Sequence, residues 1–185
     1  MQTDMPMQDK ASFRFEVKLW TETEFAAGRQ HWTSLLTCST SDHLFMSWDW
    51  FYNWWLIWKP EGAELSIVTC WDSSKLVGIA PLYVVRDSYF KGFIKFERLQ
   101  MLGSNFSGRS GIRCEYDSII IREGYGQEII DLIINKLKSM RNWSELVTSD
   151  YTMENPLNEA FFSSLKKYAV IAGRIKRGLP SGSIR

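Results

Sequence analysis

Residues 64–86 read ELSIVTCWDSSKLVGIAPLYVVR, and this stretch decides the fold. Two runs rich in β-branched and aromatic residues, Glu64 to Trp71 and Leu76 to Arg86, flank the polar tetrapeptide Asp72-Ser73-Ser74-Lys75. That pattern predicts an antiparallel hairpin. Pro81 lacks the amide that a ladder needs, so the second strand is expected to bulge or break there. Working outward, Phe93 to Leu102 reads as a further strand, and Phe13 to Leu19 alternates apolar and polar like a half-buried one. Ser118 to Arg122, Trp143 to Ser149 and Tyr168 to Arg174 are three more strand-like runs.

Helical signals fall between them. Thr21-Glu22-Thr23-Glu24 fits a capping box and opens a helix expected over residues 22–36, with Phe25, Trp32, Leu35 and Leu36 inward. Ile129, Ile130, Ile133, Ile134 and Leu137 make one stripe of a helix over residues 126–140. Asn155-Pro156 opens a last helix, buried through Leu157, Ala160, Phe161 and Leu165. The order β-α-α-β-β-β-β-α-β-α-β places hairpins first and βα crossovers after. It predicts the α/β class: a central mixed sheet with helices on both faces. Residues 1–11 read as a disordered start, 12–175 as a single domain, and 176–185 as a basic disordered tail.

Eight of the fourteen residues from Phe45 to Trp58 are aromatic, and five of the nine tryptophans sit in this run. Burying one such ring removes ~150–250 Å² from water, worth at most roughly 4–6 kcal/mol. Ser47 is the expected N-cap and Pro60 the stop. On a helical wheel Trp48, Phe51, Tyr52, Trp55 and Trp58 share one broad face, while Trp50, Trp54 and Ile57 lie opposite. A helix this apolar needs cover on two sides. The first face is assigned to the sheet. Trp50 and Trp54 are assigned to a substrate pocket or a partner surface.

Bulk properties exclude several functions. Twenty-two basic and 21 acidic residues leave a net charge of +1, so no global field points to nucleic acid or membrane. The basic residues from Lys166 to Arg185 lack the aromatic interleaving of a nucleic-acid tail. Cys38, Cys70 and Cys114 form no C-x-x-C pair, which points to reduced thiols in a cytoplasmic protein. His31 and His43 have no metal-ligand spacing, so no metal is expected.

Two segments could carry chemistry. Arg122-Glu123-Gly124-Tyr125-Gly126 joins a strand to a helix start, where glycines let backbone amides approach an anion. Two glycines and an arginine are common in strand-to-helix turns, and a plain tight turn is the default reading of these residues. Glu115-Tyr116-Asp117 enters a buried strand after a glycine-rich loop and offers acid/base groups, or simply an exposed loop end.

Taken together, Phe45-x-Ser47-Trp48-x-Trp50 with Trp54-Trp55, the strand Leu76 to Tyr83, Leu102-Gly103-Ser104, the Glu115-Tyr116-Asp117 strand entry and the Trp143 strand resemble a known family. It is the CelD-like branch of the GNAT-superfamily acetyltransferases, associated with cellulose or exopolysaccharide biosynthesis and distantly FemAB-like. The resemblance spans roughly residues 13–175. It implies a GNAT-like fold and acyl transfer from acyl-CoA, such as acetyl-CoA, to an amine or hydroxyl of a small-molecule or saccharide acceptor. It further implies splayed strands around the thioester and a pyrophosphate turn at Arg122, Gly124 and Gly126. Glu115, Tyr116 and Asp117 become the candidates for proton transfer.

Two departures accompany it. The superfamily's turn is Q/R-x-x-G-x-G/A, and here one residue fewer separates Arg122 from Gly124. Family members also carry a second GNAT-like half, so this chain is expected to be an N-terminal half. It would then pair with that missing half or as a homodimer. A non-catalytic GNAT-like interaction module is the alternative expectation.

Overall fold

The computed structural model describes residues 14–89, 92–105, 114, 117–148 and 155–167. The expected strand at 168–174, the two termini, Glu115 and Tyr116 lie outside the described residues.

The hairpin forms as the sequence predicts. β1 (Phe15–Trp20), β2 (Glu64–Leu65) and β3 (Ile67–Asp72) precede β4 (Lys75–Ala80) and β5 (Leu82–Tyr89). β3 and β4 are antiparallel, and Ser73 in their turn has φ 58°. β6 (Ile94–Met101), β7 (Ile120–Ile121) and β8 (Glu145–Val147) complete the strands. They form two four-stranded sheets, ordered β1-β3-β4-β7 and β2-β5-β6-β8. The line between the sheets runs through Ser66, Pro81 and Leu102. Pro81 marks the expected break, and the amides of Ser66 and Leu102 bridge it, bonding the carbonyls of Leu82 (2.9 Å) and Pro81 (2.8 Å). β4 thus runs on into β5, and the β6–β7 pair lies beside both. β8 joins β6 in parallel, with Leu99 opposite Leu146.

Side chains leave these strands with a period of two, shifted once by a bulge at Val77 between the Trp71–Leu76 and Cys70–Gly78 pairs. Val68, Cys70, Val77, Ala80, Leu82 and Val84 enter one core with α4 (Gln127–Ser139) and α5 (Pro156–Lys166). Ile67, Leu76, Ile79, Tyr83 and Val85 enter the other, with α1 (Glu22–Ala27), α2 (Arg29–Leu36) and α3 (Trp48–Trp58). Both faces are covered, as the α/β reading requires. Arg98 ties the second sheet together: it pairs with Asp87 on β5 and, at 2.9 Å, with Glu145 on β8.

The capping box at Thr21 is present, with Glu24 reaching back to the Thr21 amide at 2.8 Å. The single helix expected over 22–36 is corrected: it breaks at Gly28 into α1 and α2. The Trp20 ring occupies the place a side chain would take there, 2.5 Å from an ideal Cβ. The strand runs at 118–122 and 143–149 also shorten, to two and three residues.

α3 starts at Ser47, whose hydroxyl accepts the Trp50 amide, as expected. Trp48, Phe51 and Trp55 are buried, but Trp58 is 42 % exposed and leaves the face the wheel gave it. It is the last helical residue, beyond the sheet's cover. The indole N–H groups of Trp32 and Trp48 lock the layer by donating to the Met46 and Phe25 carbonyls, both at 2.8 Å.

Candidate functional site

The turn from β7 into α4 opens on a groove of about 640 Å³. Its walls are the Arg122–Tyr125 turn, the Thr40–Asp42 loop, Ser118, and Asn155 to Leu157 at the start of α5. Gly124 has φ +83°, a conformation strained for any side chain, and a Cβ at Gly124 or Gly126 would meet nothing within 4 Å. No side chain caps α4, whose N-cap is Gly126. The Ile129 and Ile130 amides both turn back to the Gly126 carbonyl, at 3.1 and 3.2 Å. The amides of Gln127 and Glu128 are therefore the orphan donors of the first turn, at the positive end of the helix dipole. α5 caps itself instead, through Asn155 to the Leu157 amide at 3.0 Å.

Arg122 does not lend its guanidinium to this cradle. Nε donates to the Leu76 carbonyl at 3.3 Å and Nη2 to the Ser34 carbonyl at 3.2 Å, in the last turn of α2. Those carbonyls carry the negative end of the α2 dipole. The arginine fastens α2 to β4. Tyr125 is held at the rim: its hydroxyl donates to Asp72 Oδ2 at 2.8 Å, which Arg14 also reaches at 3.0 Å. The hydrogen bonds from Arg14 and Tyr125 hold the Asp72 carboxyl below the usual range, and the Asp72 bond raises the Tyr125 hydroxyl.

Asp117 is fully buried, and its Oδ2 accepts the Ser104 hydroxyl at 2.9 Å. Residue 104 in turn binds β5, because the Tyr83 hydroxyl lies 2.6 Å from the Ser104 carbonyl and 2.5 Å from Gln100 Oε1. One hydroxyl proton cannot serve both oxygens, and Gln100 Nε2 is buried without a partner. Turning the amide round removes that conflict: Nε2 donates to Tyr83, and Tyr83 donates to Ser104. Burial first, then the Asp117 charge, pushes the Tyr83 hydroxyl far up, so it stays a donor. Beside this network the Cys114 amide bonds the Gly103 carbonyl at 3.0 Å. Asp117 is thus part of a clamp across the sheet break.

α3 roofs that clamp. Trp54 is 3 % exposed and its ring packs 5.6 Å from Tyr83, so most of it faces the sheet. Trp50 is half-buried against Phe45 at 5.3 Å. Both line a second groove of about 360 Å³ on the outer side of α3.

The structure brings Arg122, Gly124 and Gly126 into one turn and sets Asp117 apart from it, in the clamp. Sequence reasoning missed Thr40, Ser41, Ser118 and Asn155 as groove walls, and Tyr83, Gln100 and Ser104 as partners of Asp117. Tyr83 and Gln100 face each other in the β5–β6 register, a pairing that hairpin alignment would have found. Among the described residues, no group of three potential ligands could hold a metal ion, and no helix is long and apolar enough to cross a membrane.

No family model matches the sequence, and no curated protein matches it. Solved structures do. An integron cassette protein from the mobile metagenome of V. cholerae superimposes with a TM-score of 0.51 at 11% identity, over 91% of this chain and 94% of that one. A possible acetyltransferase from Clostridium difficile 630 gives 0.46 at 13% identity, over 89% and 97% of the two chains. A ribosomal-protein-alanine N-acetyltransferase from Brucella melitensis biovar Abortus 2308 gives 0.45 at 14%, over 89% and 99%. At such identities the likeness concerns the fold. The mixed sheet with helices on both faces is the architecture that the resemblance implies.

Proposed function

We propose that this chain is a GNAT-type acyltransferase that takes an acyl group, acetyl in the simplest case, from acyl-CoA. The observation that carries the reading is the open, uncapped glycine turn between β7 and α4, set where the chain crosses over to the parallel strand β8. Ligands of α/β sheets bind outside the carboxyl ends of strands, and an uncapped helix start there suits a phosphate. The residues fit a pyrophosphate held by backbone amides at Gly126, Gln127 and Glu128, with the Arg122 side chain contributing only to the frame. The acceptor amine or hydroxyl would attack the thioester carbonyl, lose its proton to a base and release the CoA thiol. In this reading a saccharide or other small molecule is the acceptor, and the CelD-like assignment rests on the aromatic helix and the Leu76–Tyr83 strand.

The burial of Asp117 favours a second reading, a GNAT-like module without catalysis. A base must reach its acceptor, and Asp117 is fully covered. Isothermal titration with CoA, followed by a thiol-release assay with acetyl-CoA and amine or sugar acceptors, separates the two. Binding with turnover supports the enzyme. Binding without turnover across acceptors supports the module. No heat at millimolar CoA sinks the enzyme reading and leaves the module.

A further inference from the structure

The turn that opens onto the groove has little packing of its own. Gly124 and Gly126 stand in open space, where even a Cβ would meet nothing within 4 Å. Glycines leave the backbone many conformations unless something holds it. Upstream, Arg122 is held by the Leu76 and Ser34 carbonyls, and the Glu123 amide bonds the Cys38 carbonyl at 2.7 Å. Downstream, Gln127 Nε2 donates to the Ser164 hydroxyl on α5 at 2.9 Å. Between those two points lie Gly124, Tyr125 and Gly126, and Tyr125 alone has a side chain to hold the turn.

That side chain is fastened to a fixed post. The Tyr125 hydroxyl donates to Asp72 Oδ2, and its ring meets Phe15 edge-on at 6.2 Å. Asp72 ends β3, opposite Phe15 on β1 and Lys75 on β4, so three strands set its position. Arg14, just before β1, donates to the same carboxylate oxygen and lies over the Phe15 ring at 5.0 Å. Tyr125 lines the groove, whereas Arg14, Phe15 and Asp72 do not. Any influence of the post on a ligand therefore passes through Tyr125.

We propose that Tyr125 is a positioning residue, whose tether to Asp72 keeps the Gly126, Gln127 and Glu128 amides turned toward the groove. The inference rests on the acyl-CoA reading for its ligand and on the turn alone for its mechanics. A tether changes ligand affinity by no more than it stabilises the binding-competent turn. One part-buried hydrogen bond, open to water, sets that ceiling at about tenfold.

Titration calorimetry with CoA on the wild type, Tyr125→Phe, Asp72→Ala and the double variant tests this. Each single variant should weaken binding by about three- to tenfold, and the double variant no further, because both cut one tether. Asp72→Asn keeps an acceptor oxygen and should regain most of the affinity. Amide exchange followed by NMR reads the tether without ligand. In Tyr125→Phe the amides of residue 125, Ile129 and Ile130, which bond within the turn, should exchange faster. Those of Ile134 and Leu137, farther along α4, should keep their rates. Wild-type affinity in Tyr125→Phe, additive losses in the double variant, or unchanged exchange in the turn overturns the proposal. So does a loss well beyond that ceiling, which would put the Tyr125 hydroxyl on the ligand itself. A wild type that gives no heat with CoA overturns the acyl-CoA reading instead, and the exchange rates then decide the tether by themselves.

Discussion

Replacing Gly78 by alanine should push helix α4 off the sheet. Gly78 lies in β4, and a Cβ there would stand 2.3 Å from Ile129 Cγ2 on α4. Carbon atoms rest at about 3.5–4.0 Å, so the added methyl needs more than an ångström of new room. Cys70 Cβ stands 3.5 Å away, at ordinary contact already, so the room must come from Ile129 or from movement of α4. Overpacking of this kind costs ~1–3 kcal/mol, and the smaller unfolded-state entropy of alanine returns ~0.5–1 kcal/mol. A net loss of ~1–2 kcal/mol corresponds to roughly 2–8 °C in melting temperature for a chain of this size. Ile129→Ala alone should cost ~2–5 kcal/mol through its cavity. In that background Gly78→Ala fills space and should become neutral or stabilising, a coupling of at least ~1 kcal/mol. Calorimetric melts of the wild type, both single variants and the double variant close the cycle. Strict additivity, or a Gly78→Ala variant as stable as the wild type, would refute the close seat of α4. Ile129 is the third residue of α4, so the same shift should move the Gly126 turn and weaken CoA binding.

Three further outcomes are expected. Gly126→Ala places a methyl in open space and should fold normally, while CoA affinity by titration calorimetry falls about tenfold as the methyl blocks the amides. Burial pushes the Cys70 thiol up to about 12 and Cys114 is covered, whereas Cys38 is exposed; iodoacetamide with mass spectrometry should label Cys38 alone until the protein unfolds. Arg14→Ala should lower the melting temperature at neutral pH. Asp72 has a depressed folded-state pKa, so its stabilisation is present above its ordinary value of 3.8 and lost as pH falls through the folded value. The gap between variant and wild type should therefore close on acidification below 3.8, and a gap that persisted there would assign Arg14 another role.

Much of the sheet was legible because period-two burial depends only on neighbouring residues. The hairpin, the Pro81 break, the Thr21 capping box and the Asn155 cap each follow from a few consecutive side chains. What escaped depends on distant ones. Gly28 breaks a helix because Trp20 returns over it. Asp117 is buried because Ser104, thirteen residues away, comes back as its donor. The groove beside α4 gathers loop 40–42, turn 122–125 and the start of α5, which no local pattern relates. Arg122 was legible as a positive charge beside glycines, but the carbonyls that occupy it belong to α2 and β4.

The bond from the Cys114 amide to the Gly103 carbonyl closes the chain on itself between β6 and β7. The two strands lie along β5 and β4 like successive parts of one strand, with Gly103 and Cys114 held together between them. Doubling the length of such an excursion costs only ~0.6 kcal/mol in closure entropy. A longer chain between Gly103 and Cys114 is therefore expected to leave every sheet pairing as it is, next to the α3 roof.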